Sequence, residues 1–136
     1  MVELLPTDSL VMSENRYPIT KAGIATALRI MIDKWKEETQ YGETEVKYFK
    51  DAKLGSMKCR VIESSHPHPR REFDNHKIRL WVDSATDIPV RMQKFGFPRQ
   101  PGAEPPIIED YQFLDLRTDV RLTDVDFDRN NKKYAF

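Results

Sequence analysis

KIRLWVDSATDIPVRMQKF, residues 77–95, is the stretch on which the fold turns. Ile78, Leu80 and Val82 stand against Lys77 and Arg79 with a period of two, and Ile88, Val90 and Met92 stand against Arg91 and Gln93 in the same way. That period belongs to a strand with one buried face. Asp83-Ser-Ala-Thr-Asp87 separates the two runs by a hairpin-length loop, which makes them antiparallel neighbours. Upstream, residues 44–50 set Val46 and Tyr48 against Glu45 and Lys47, and residues 57–63 set Met57, Cys59 and Val61 against Lys58 and Arg60. Downstream, a stiff proline-rich loop at 98–106 leads into residues 107–117, with Tyr111 and Phe113 on one face and Leu114 and Leu116 on the other. Counting 73–83 and 88–97 as the two central runs, five consecutive strands with short links predict an antiparallel meander.

Ahead of the strands lies one long helix. Ile24, Ala27, Leu28, Met31, Ile32 and Trp35 recur at three- and four-residue spacing, and Lys21, Arg29, Asp33 and Lys36 take the opposite side. Thr20 is the expected N-cap, with Ile19 and Ile24 as a hydrophobic staple. Gly42 is the expected terminating glycine. The helix is placed at residues 20–39. The fold class is therefore α+β: a curved antiparallel sheet of five to six strands with one amphipathic helix packed on it. The chain reads as a single domain, 1–136. Within it, 1–18 is an extended lead-in, 44–117 the sheet, and 118–136 a tail with a short turn or helix.

Composition narrows the function. The 136 residues hold 22 Lys plus Arg and 22 Asp plus Glu, a net charge of zero, which argues against a nucleic-acid partner. No apolar run is long enough to span a membrane, and residues 1–17 lack the basic and apolar regions of a secretory signal. Cys59 is the single cysteine, so no intrachain disulfide forms.

Chemistry-bearing motifs are sparse. Asp124, Asp126 and Asp128 have the spacing that opens a calcium loop, but Arg129 stands where the loop needs glycine and Ala135 where it needs a bidentate Glu. A short turn capped by Thr123 or Asp124, with Phe127 buried, is the favoured reading. His66 and His68 each precede a proline and lack further ligands, which favours a surface loop over a metal site. Cys59 lies on an apolar strand face, where a thiol is inert. None of the nucleophile-elbow, dinucleotide, P-loop or zinc-protease motifs is present. No catalytic residue, no metal ligand and no cofactor is therefore expected.

Two apolar surfaces remain. One sheet face, lined by Val46, Tyr48, Val61, Ile78, Leu80, Val82, Val90 and Met92, lies under the helix with Leu28, Met31 and Trp35 as its lid. It is either filled core or a groove for an apolar ligand. Phe49, Ile62, Trp81 and Phe95 form a second row on the other face, a candidate interface for a homodimer.

The run LWVDSATDIPVRMQKFGFP (80–98), followed by PPIIEDYQFLDLRTDVRLTDVDFDRNNKKYAF (105–136), gives a recurrent order of hairpin, strand and Leu-Thr-Asp-x-Asp-Phe-Asp ending. With LLPTDSLVMSENRYPITKAGI (4–24), which includes Arg16-Tyr17-Pro18-Ile19, it resembles the bacterial family of unknown function 1571 over nearly the whole chain. More distantly it is similar to the periplasmic lipoprotein-localisation-factor superfamily, half-open barrels with a helical lid. The resemblance implies a partial half-barrel, a periplasmic or envelope location and an apolar or lipid-like ligand. It also implies a further N-terminal half, usually behind an export signal, so that this chain starts after that half. It carries over no catalytic residues. The expectation is a non-catalytic protein that holds an apolar ligand, with a homodimeric interaction module as the alternative.

Overall fold

The computed structural model describes residues 5–13, 15 and 17–134. A short helix α1 (Ser9–Met12) and a 3₁₀ turn (Ile19–Lys21) precede the long helix α2 (Ile24–Thr39). Five strands follow: β1 (Glu45–Leu54), β2 (Met57–Ser65), β3 (Lys77–Asp83), β4 (Pro89–Phe95) and β5 (Ile107–Gln112). They form one open sheet in the order β1-β2-β3-β4-β5, every pair antiparallel. The α+β class and the meander expected from alternation are what the structure shows, with five strands among the described residues. Two 3₁₀ turns, Asp124–Phe127 and Lys132–Tyr134, close the chain.

The helix starts later than its capping signals indicate. Thr20 falls inside the 3₁₀ turn, and the N-cap is Gly23, whose φ of 102° only glycine adopts freely. With Gly23 as the N-cap, Ile19 does not occupy the position of a staple, and it is exposed. Gly42, at φ 69°, does sit in the left-handed conformation that ends the helix region. The lead-in expected at 1–18 contains α1. Its residues 1–4, 14 and 16 lie outside the described residues, as do 135 and 136 of the tail.

Two features of the sheet were not visible in the alternation. β1 runs four residues further than expected, through a bulge between Phe49 and Ala52, and turns into β2 over Gly55 and Ser56. Gly55 takes φ 62°, and a Cβ built on it would meet nothing within 4 Å. Gly55→Ala should therefore cost about 1–2 kcal/mol through backbone strain alone, read as a lower urea midpoint at unchanged slope. β5 ends at Gln112 rather than 117: Phe113 N–H donates to Val90 C=O, and Asp115 then turns to φ 50°.

The core lies between α2 and one face of the sheet. Met31, Ile78 and Leu80 are its buried centre, with Leu28, Trp35, Val82 and Met92 packed around them. Ile32, expected in the apolar stripe, is 45 % exposed. The stripe continues instead through Glu38, which is fully buried. The burial expected for Phe127 is also absent: it is 75 % exposed, although Thr123 does cap its turn through a reciprocal capping box with Asp126.

Candidate functional site

Residues opposed in neighbouring antiparallel strands share a face, so the register assigns every side of the sheet. Tyr48, Ile62, Leu80, Met92 and Tyr111 form one row across all five strands. This is the face that meets α2, since Leu80 and Met92 pack on the core. Phe49, Val61, Trp81, Arg91 and Gln112 form the corresponding row on the opposite face. Val61 and Ile62 thus exchange the places that alternation gave them. Val61 lies away from the helix, and Ile62 lies under it.

Between α2 and the sheet opens a cleft of about 820 Å³, within the range of small-molecule pockets. Leu28, Met31, Ile78, Leu80 and Met92 line it. Other candidates stand elsewhere. Val82 packs beside the core, and Trp35 does so with its indole N–H buried and unpartnered among the described residues. Val46 and Tyr48 are exposed on the edge strand β1. Val90 is buried at the irregularity where β3 and β4 change register, outside the core cluster. Residues not singled out from sequence complete the cleft: Ile24 and Ala27 from the helix, Ile108, Tyr111 and Phe113 from β5 and its exit, and Asn75 from the loop before β3.

Two sets of polar contacts flank the cleft. At one end Tyr17 O–H donates to Glu109 Oε1 at 2.9 Å, and Lys94 Nζ lies 2.9 Å from Glu109 Oε2. Burial pulls the Lys94 ammonium down, but the Glu109 carboxylate outweighs it, so the net shift is upward. This ties the segment before α2 to β4 and β5. At the other end α2 is bound to the loop 66–76. Lys34 Nζ donates to Glu72 C=O at 3.1 Å and meets Asp74 at 3.3 Å.

Deeper in that second set, His66 Nε2 lies 3.1 Å from Glu38 Oε2, with both side chains almost fully buried (1 % and 0 % exposed). The ring of His66 stacks on Phe73 at 3.9 Å, and its Nδ1 lies 3.4 Å from Thr44 Oγ1. The surface-loop reading of the histidine pair therefore fails for His66, while His68 is exposed. Burial pushes the Glu38 carboxyl above its ordinary 4.5, partly offset by the charge and hydrogen bond of His66. His76 Nδ1 donates to His66 C=O at 2.8 Å and holds the loop base. Among the described residues no three His, Cys, Asp or Glu side chains converge on a metal position.

The face away from the helix is a polar ladder rather than an apolar row. Glu63 accepts two bonds from Arg79, at 2.6 and 2.9 Å; Gln93 donates to Asp110, and Arg91 binds Asp110 through two bonds. Phe49, Trp81 and Phe95 share this face, with Lys77 and Arg79 lying over the Phe95 ring; Ile62 does not. The Arg91 hydrogen bond, chiefly, holds Asp110 below the usual carboxylate range. A lowered folded value gives stability that is present above the unfolded value and lost as pH falls through the folded one. Asp110→Asn should therefore flatten the acid limb of a stability-versus-pH curve, measured by urea melts.

An α+β protein with an open five-stranded meander, one covering helix and an apolar cleft between them is the class these observations define. The chain belongs to the family described as protein of unknown function (DUF1571), whose sequence model matches residues 1–136. No curated protein and no solved structure matches the chain, so the similarity to lipoprotein-localisation factors gains no support from either comparison. Among the described residues no helix is long and apolar enough to cross a membrane.

Proposed function

We propose that this protein is a non-catalytic binding protein that holds an apolar, lipid-like ligand in the cleft between α2 and the sheet. The supporting observation is the cleft itself: a space of about 820 Å³ walled by Leu28, Met31, Leu80, Met92 and Tyr111. Apolar walls of this extent are stable once covered, and a chain-like ligand covers them without any reacting group. An envelope location accompanies this reading, and an export signal or lipobox encoded upstream would fit it. Native mass spectrometry of protein from the natural host should show a co-purifying apolar mass. Ala27→Trp, which fills the cleft from the helix side, should remove it. A ligand-free mass for the unmodified protein, together with no binding of an added neutral apolar dye, overturns the reading.

A second reading rests on β1. Among the described residues it pairs only with β2, and Val46, Tyr48 and Phe49 are exposed along it. An edge of this kind is a template for strand addition, and a two-fold homodimer through β1 would cover it. Light scattering on dilution tests this: a dimer that Val46→Pro converts to monomer supports it, and a monomer at every concentration removes it.

A further inference from the structure

The cleft reading above leaves the ligand's polar end open, and the following inference rests on that reading. Asn75 is 4 % exposed and lines the cleft, and its side-chain amide makes no hydrogen bond with any described residue. Its carboxamide offers both an acceptor and two donors to whatever enters the cleft. Among the described residues the part-exposed charges nearest the cleft already have partners. Lys34 meets Asp74 and Glu37, Lys94 meets Glu109, and Arg91 meets Asp110. Lys21 also lines the cleft but is exposed, so water screens it.

A ligand head carrying net charge would lose its hydration there without finding a free counter-charge. An uncharged hydroxyl or carbonyl loses less, and it satisfies the amide. We propose that the cleft takes a neutral amphiphile, its apolar chain along Leu28, Met31, Leu80 and Met92 and its uncharged hydroxyl or carbonyl head hydrogen-bonded to Asn75.

The test is competition against Nile red, a neutral apolar dye, with three competitors that share one monounsaturated hydrocarbon chain: monooleoylglycerol, oleate and oleylamine. Monooleoylglycerol should displace the dye at a free concentration about tenfold below that of either charged competitor, the scale of one or two hydrogen bonds. In Asn75→Leu that ratio, measured on the variant itself, should fall to within about twofold. Asn75→Ser, which keeps a hydrogen-bonding group, should retain most of it and serves if the leucine variant does not fold. Dye binding with equal displacement by all three, or a ratio unmoved in both variants, overturns the head-group inference and leaves the cleft reading standing. Absence of dye binding overturns the cleft reading and this inference with it.

Discussion

His66→Ala is expected to lower the unfolding free energy by about 3–5 kcal/mol at neutral pH, the usual loss when one partner of a buried ionisable pair is removed. Glu38 is fully buried, and its Oε1 already lacks a partner among the described residues. Without His66 its Oε2 loses its bond too, and Phe73 loses the ring stacked on it. The loss should depend on pH, in a direction fixed by Glu38. Burial raises its carboxyl above 4.5, and His66 pulls it back. A carboxyl raised in the fold binds its proton more tightly folded than unfolded. Its stabilising contribution is complete below 4.5 and disappears as pH rises through the folded value. Removing His66 removes the offset and widens that window, so the variant should be less destabilised in acid than at neutral pH. Glu38→Gln, which carries no ionisable group, should remove this part of the pH dependence. Urea midpoints of the three proteins at acid and neutral pH decide the matter. A loss below about 1 kcal/mol, or one equal at both pH values, contradicts the buried-pair account.

The same pair shows where the sequence is legible and where it is not. Alternation and helical spacing place five strands and one helix, because amphipathic elements carry their period openly. β2 is different. Cys59 and Val61 are buried on one of its faces, while Ile62 lies under the helix on the other. A strand with apolar residues on both sides has no period that names its inner face. That choice is made by pairing, from Cys59 against Asp83 to Ser65 against Lys77. A shift of one residue in phase moves every side chain across the sheet, which is how Val61 and Ile62 exchanged places. Glu38 did leave a signal: it stands seven residues after Met31 and three after Trp35, on the apolar stripe. Its charge hid it, because only the fold brings in the histidine that makes burial tolerable. Asn75 left none. It is one polar residue in a loop, and only the packing of α2 over β3 makes it part of a wall.

Met31→Ala should cost about 2–5 kcal/mol, while Ile32→Ala, its neighbour in sequence, should cost within about 0.5 kcal/mol of nothing. Both residues looked like stripe positions, yet Met31 is 4 % exposed and joins Ile78 and Leu80, whereas Ile32 points to solvent. The sheet is held by its own ladders and by the polar bonds on its far face, which Met31 does not touch. Among the described residues the core contact of the helix with the sheet runs through Leu28, Met31 and Trp35, so truncation at Met31 loosens α2 first. Amide exchange in α2 should therefore quicken well before exchange in β2 and β3, because local openings draw on the least-buried contacts. The cleft shares that stripe: Leu28 and Met31 form its helix wall. A ligand lying against them adds its own burial to the helix contact and stabilises the folded state by mass action. Protection of α2 in Met31→Ala should then recover in part when monooleoylglycerol is added and not when oleate is added. Equal losses at Met31 and Ile32, or uniform quickening across helix and sheet, would show that α2 is not the separately anchored cover described above.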